Sequence, residues 1–240
     1  MSKAIHRITI VGLGPGSIGQ LTLEAAEVLQ SAERIYLRTV MHPNVEALRV
    51  RFPHLEIQSF DDIYESSAGF EEVYGAIVAR IVDLAVETEV IYCVPGSPSI
   101  GETTVDLLRA LSSSMGVLIR VVQGVSFVEA SLGALGDADT SWLQIMDGID
   151  LDLLASQNAV GEIQGSPGTL AVRMPVPTSG LLIHQVHSRQ VATSVKLWLS
   201  KYWPDQHEVC LIRDAGTPDE TVTRLPLLEL DRVEVDHLTT

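Results

Sequence analysis

The stretch Gly12-Leu13-Gly14-Pro15-Gly16-Ser17 restricts the fold more than any other feature of this 240-residue chain. A short β-branched run, residues 8–13, ends in these glycines. Apolar residues at helical spacing follow at Leu21, Ala25, Val28, Leu29 and Ala32. A strand that turns through glycine into a helix belongs to a crossover unit, and such units build parallel sheets. Glycines at that turn let the backbone approach a ligand, and a helix start offers free N–H groups. The spacing departs from the dinucleotide fingerprint G-x-G-x-x-G, because Ser17 holds the third position. Pro15 removes one N–H, and Pro15-Gly16 delay the helix to about Leu21. The second strand ends Tyr36-Leu37-Arg38, without the acid that would hold an NAD ribose; Arg38 suits NADP better. A tight turn with no ligand is the plain alternative.

The alternation continues. Residues 35–37, Val90–Val94 and residues 117–122 read as strands. Residues 44–52 and 103–111 read as helices, as does a long amphipathic segment marked by Phe70, Val73, Ile77, Ile81 and Leu84. This rhythm predicts an α/β fold whose first lobe, residues 1–123, is a parallel sheet. Beyond Gly124 the pattern loosens. Residues 127–135 read as helix and 142–145 as extended, and the Gly- and Pro-rich stretch 158–177 reads as loop with short strands. Residues 181–186 read as strand and 191–202 as helix before Pro204. Residues 209–213 and 222–225 read as a hairpin around 214–220. The expected second lobe, 124–240, is mixed α/β, with a ligand cleft between the lobes.

Two further loops follow predicted strands. One is Pro95-Gly96-Ser97-Pro98-Ser99-Ile100-Gly101-Glu102; the other is Gln123-Gly124-Val125-Ser126-Phe127. Each has an ordinary reading, as a Pro-Gly turn and as a helix start in which Ser126 and Glu129 form a capping box. Taken together with the first loop, the string G-L-G-P-G-S followed by Leu21-Thr22 resembles the opening of the tetrapyrrole methylase family. The second loop resembles that family's G-D-P loop, with Ser97 in place of the acid. The third resembles its P-G-x-S loop, with Gln123 in place of proline. Ile183-His184-Gln185-Val186, Lys196, Tyr202 and residues 227–231 resemble one branch of the family. Glu102 and residues 61–65 (DDIYE) point to the same branch, in which the methylase-like part precedes a MazG-type nucleotide pyrophosphohydrolase.

The resemblance implies a two-lobed methyltransferase that binds S-adenosylmethionine (SAM), acts on an unidentified small molecule (tetrapyrrole-like or nucleotide-related) and forms a homodimer. The implied cofactor contacts are Leu13, Gly14, Pro15, Gly16, Gly96, Ser97, Pro98, Ile100, Ser126, Phe127 and Ile145. No catalytic residue is implied. A SAM-binding regulatory module without turnover is the alternative. The chain ends about where a linker to the MazG-type domain is expected, either as a piece of a fusion or as a separate gene product. Paired E-x-x-E segments are missing, so no pyrophosphatase chemistry is expected in these residues.

Composition excludes other classes. The net charge of −15 repels nucleic acid phosphates and anionic lipids. No apolar run reaches the ~20 residues of a membrane span and no signal peptide is visible, so a cytoplasmic location is expected. Aromatics are 5% of the chain, which leaves the core to Leu, Val, Ile and Ala. Cys93 and Cys210 lie in apolar runs and read as buried thiols. His184 and His187 have H-x-x-H spacing on a strand rather than a helix, so no metal site is expected; one of them reads as an inward imidazole or a base facing a cleft. Asp61, Asp62 and Glu65 read as a solvated acidic loop, with Tyr64 an alternative lining of an acceptor entrance. Trp198 and Trp203 read as core or dimer contacts.

Overall fold

The computed structural model describes residues 7–66, 70–136, 140–156 and 175–240. Most of the glycine- and proline-rich stretch 158–177 lies outside the described residues. The chain divides into two compact units, Met1–Ala130 and Ser131–Thr240.

The first unit contains a five-stranded sheet. Its strands are β1 (Ile8–Gly12), β2 (Arg34–Leu37), β3 (Glu56–Ser59), β4 (Val90–Val94) and β5 (Ile119–Val122). They lie in the order β3-β2-β4-β1-β5, every neighbouring pair parallel. The helices are α1 (Leu23–Ser31), α2 (Asn44–Arg51), α3 (Asp61–Ser66), α4 (Phe70–Ala85) and α5 (Thr103–Met115), and α6 (Phe127–Leu135) runs across the division at Ala130. Side chains alternate across a strand, so each strand feeds two layers. Ile8, Ile10, Tyr92 and Val94 pack under Val73, Ile77 and Ile81 of α4 and Val105 and Leu108 of α5. Val11, Leu13, Leu37 and Cys93 pack under Ala25 and Leu29 of α1 and Val45 and Leu48 of α2. The segments after β1 and β4 therefore lead to opposite faces of the sheet, the arrangement at which open α/β sheets bind ligands. Cys93 is fully buried, and burial pushes its thiol well up, which leaves it unreactive.

Three local readings are corrected. Helix α1 begins at Leu23, not near Leu21, because Thr22 caps it by accepting the Ala25 N–H at 3.1 Å. A 3₁₀ turn, Ile18–Gln20, fills the gap. The acidic segment 61–65 is the helix α3 rather than a loop. Asp61 accepts the Thr39 hydroxyl at 2.6 Å and the Val40 N–H at 2.9 Å, and these bonds hold its carboxyl below the usual range against the effect of burial. Strand β3 was not legible: its four residues, EIQS, carry one apolar side chain, as suits a sheet edge.

The second unit pairs β6 (Leu143–Asp147) parallel with β7 (Gly180–His184), and β8 (Glu208–Arg213) antiparallel with β9 (Thr221–Pro226). Its helices are α7 (Gly148–Ser156) and α8 (Arg189–Leu199). Leu151, Val191, Val195, Leu199, Leu211 and Leu227 form its core, with Trp198 and Trp203 packed against it. Helix α7 also escaped the sequence, because Ile149, Leu151 and Leu153 have strand spacing. Asp152 binds it to α8 by accepting the Ser194 hydroxyl at 2.6 Å and the Gln190 amide at 2.9 Å. Lys196 reaches Asp231 at 2.5 Å and ties α8 to the 3₁₀ segment Leu227–Arg232.

Two groups of this unit titrate out of place, with opposite signs. Burial pushes the Asp150 carboxyl up to about 6, helped by the charge of Asp147. Burial pushes His184 down to about 4, so this inward imidazole is neutral at pH 7. The stabilisation from Asp150 is present below its ordinary value of 3.8 and is lost as pH rises through about 6. That from His184 is present above its ordinary 6.5 and is lost as pH falls through about 4. Asp150→Asn removes the first and leaves the second. Urea unfolding should find this variant more stable than wild type above about pH 6.5, with a gap that closes near pH 4. A gap independent of pH would contradict the assignment.

Candidate functional site

Strands β4, β1 and β5 are neighbours, so the three glycine loops emerge side by side at their carboxyl ends. They touch through backbone. Gly14 and Gly96 form an antiparallel bridge, each N–H donating to the other's carbonyl at 3.1 and 2.9 Å. A Cβ on Gly12 would lie 2.6 Å from the Gly124 nitrogen and 2.7 Å from the Gly96 oxygen. A Cβ on Gly124 would lie 2.1 Å from the Gly96 oxygen. No side chain fits at either position. Gly14 and Gly96 also have φ of +75° and +61°, which disfavours any residue with a Cβ.

The peptide groups of Gly14 and Gly96 are thus satisfied by each other. Among the described residues, no backbone hydrogen bond starts from the N–H of Ser97, Gly124 or Val125. At Gly96 an added Cβ would fit in ordinary contact with the third loop, its nearest neighbour the Phe127 nitrogen at 3.8 Å.

Side chains fix the loops from behind. Asn44, at the first turn of α2 and 1% exposed, donates its amide to Leu13 O at 2.8 Å and to Ser17 O at 3.2 Å. Its own N–H donates to His42 Nδ1 at 3.2 Å. The His42 proton therefore sits on Nε2, which donates to Gly14 O at 3.1 Å. Neither residue was singled out in the sequence, where His42-Pro43-Asn44 reads only as a helix start.

Arg38 follows β2, and its N–H donates to Cys93 O at 2.9 Å. Its guanidinium is paired with Glu102, donates to the Tyr64 hydroxyl at 2.9 Å and lies 5.4 Å from the Tyr74 ring centre. Glu102 also accepts from Thr104 at 3.3 Å, and Thr104 meets Tyr92 at 3.0 Å. Burial opposes the charge on Arg38, but Glu102 and the surrounding tyrosines raise its pKa well above the ordinary value. The pair pins the end of the second loop to the sheet. It also removes the residue that favoured NADP, since Arg38 is already engaged.

The remaining expected contacts divide. Leu13, Gly14, Pro15, Gly16, Gly96, Ser97, Pro98, Ser126 and Phe127 lie in or beside the three loops, with Ile100 in the same turn as Ser97, donating its N–H to Ser97 O at 3.3 Å. Ser126 is the expected cap: its hydroxyl and N–H both reach Glu129, and it accepts the Val128 N–H at 3.0 Å. Burial opposes ionisation of Glu129, but the bonds from Ser126 outweigh it and hold the carboxyl below its usual range. Ile145 belongs to the second unit, on β6 opposite Leu182, and is 40% exposed. Among the described residues no group of three metal-binding side chains occurs. Nor is any described helix long and apolar enough to cross a membrane.

Comparison with known proteins agrees with this architecture. Residues 7–231 match the family model for tetrapyrrole (corrin/porphyrin) methylases. The uncharacterized protein YabN of Bacillus subtilis (strain 168) is 34% identical over 234 residues, 97% of this chain and 44% of its own length. The chain thus spans less than half the length of that curated relative. The uroporphyrin-III C-methyltransferase of Thermus thermophilus, solved with S-adenyl homocysteine, superposes with a TM-score of 0.62 at 21% identity, covering 97% of this chain and 94% of that one. A diphthine synthase superposes with a TM-score of 0.60 at 14% identity, covering 95% and 84%. With the match to the family model spanning nearly the whole chain, this protein belongs to the tetrapyrrole methylase family.

Proposed function

We propose that the chain binds SAM at the junction of its three glycine loops and transfers the methyl group to a small-molecule acceptor. The observation that carries this reading is the meeting of three backbone loops at the ends of adjacent parallel strands, with N–H groups at Ser97, Gly124 and Val125 from which no backbone hydrogen bond starts. The residues present fit such a ligand. The first loop lacks the third glycine of a dinucleotide site, and Arg38 is paired with Glu102 and not left for a nucleotide phosphate.

Bound there, SAM supplies a methyl group already activated by its sulfonium, so transfer requires alignment more than acid–base assistance. The work left to the chain is positional. Asn44 and His42 hold the first loop, Arg38 and Glu102 hold the second, and the Ser126–Glu129 cap holds the third. Glu102, Glu129 and His42, the side chains near the loops that could act as bases, are engaged in these supports. A base for the acceptor is therefore not assigned. Homodimer formation and attachment to a MazG-type domain belong to the same proposal and rest on the family resemblance alone.

Titration calorimetry should show binding of SAM and S-adenosylhomocysteine (SAH) and none of NAD or NADP; heat from NADP alone would overturn the reading. Gly96→Ala gives a sharper test than a bulkier change. The protein leaves room for the methyl group, so the variant should lose only about 1–2 kcal/mol of stability to its left-handed backbone. It should bind SAH at least about tenfold more weakly. Unchanged affinity would remove this loop from the site.

A further inference from the structure

The two places where the loops depart from the family pattern, Ser97 and Gln123, are in contact. The Ser97 hydroxyl donates to Gln123 Oε1 at 3.2 Å, and the Ser99 hydroxyl donates to the same oxygen at 3.0 Å. An amide oxygen carries two lone pairs and can serve both donors. The direction of both bonds follows from the carbonyl oxygen, which only accepts, and Ser97 Oγ in turn accepts the Ser99 N–H at 3.4 Å. Gln123 is bound from a third side as well. Its carbonyl accepts the hydroxyl of Thr22 at 3.0 Å, the residue that caps α1.

Gln123 thus ties two loops of the junction to the start of α1. It lies on the third, binds the second through its side chain and binds the segment after the first through its backbone. It is nonetheless exposed. We propose that Gln123 is a positioning residue, a clasp that holds the second loop against the third so that the N–H groups of Ser97 and Gly124 face one ligand. Proline at 123 could accept neither hydroxyl. An acid at 97 would set a carboxylate against the Gln123 oxygen. The two departures therefore form one exchange, in which a side-chain clasp does the holding.

This inference rests on the reading of the junction as the SAM site, and the experiment separates the two. SAH affinity is measured by calorimetry, and amide hydrogen exchange is followed for residues 95–102. The proteins are wild type, Gln123→Ala, the Ser97→Ala/Ser99→Ala pair, the triple variant and Gln123→Glu. Gln123→Ala should weaken SAH binding about tenfold, the weight of one to two neutral hydrogen bonds, and speed exchange in residues 95–102. The serine pair should do the same. The triple variant should be no worse than either, since all remove one interaction. Gln123→Glu keeps an acceptor for both hydroxyls and should restore affinity and protection. Additive losses, or exchange unchanged in Gln123→Ala, would refute the clasp. If wild type binds no SAH, the cofactor reading falls, and the exchange series alone still decides whether the clasp exists.

Discussion

Everything at the candidate site depends on backbone meeting backbone at Gly12, Gly96 and Gly124. Three adjacent parallel strands end within van der Waals reach of one another, and their continuing chains must diverge without side chains in the way. A Cβ at Gly124 would sit 2.1 Å from a carbonyl oxygen, closer than any real contact. Glycine at these positions is a packing requirement before it is a ligand requirement. This separates the chain from the dinucleotide pattern, in which glycines serve a pyrophosphate above a helix start. Here the first helix is pushed back to Leu23, and the turn Ile18–Gln20 stands between it and the loop.

A junction made of backbone needs side chains to hold it, and these come from elements far away in sequence. Asn44 and His42 reach from α2, Arg38 from the end of β2, Glu102 from the start of α5 and Thr22 from the start of α1. The buried Arg38–Glu102 pair is weak evidence for stability, because the desolvation of two charges offsets much of their attraction. Its value lies in direction: a guanidinium fixed by Glu102, Tyr64 and Tyr74 leaves the second loop little choice of path. The polar groups around the junction serve one another, which suits a site where a ligand is read by main-chain donors.

The parallel fold was legible because its signals were local. Buried strands such as Val90–Val94 are continuous apolar runs, and helices such as Phe127–Leu135 carry their period in the sequence; both were located to the residue. The edge strand Glu56–Ser59 was not, because exposure on its outer side leaves no pattern. Helix α7 was missed because its apolar residues alternate, and only its contacts with α8 reveal the helix. At the site, the loops were visible and their supports were not. Nothing in His42-Pro43-Asn44 announces that two polar side chains are buried to carry the Leu13, Gly14 and Ser17 carbonyls. Such roles are defined by contacts about 30 residues apart, which periodicity does not encode.

The departures from the family pattern carry more information than the matches. Read singly, serine for an acid at 97 and glutamine for proline at 123 each weaken the resemblance. Read in three dimensions they are a hydrogen-bonded pair, and each makes the other reasonable. The exchange has an electrostatic consequence. A loop with an acid at 97 would place a negative charge at the strand end, whereas Ser97, Ser99 and Gln123 are neutral, and the nearby acids Glu102 and Glu129 are held in their own bonds. A cationic sulfonium at this junction would then be oriented by main-chain and amide dipoles instead of a carboxylate. Dipoles of this kind act over shorter range than a net charge. Their geometry must therefore be fixed more tightly, which is the condition a clasp between the second and third loops would meet.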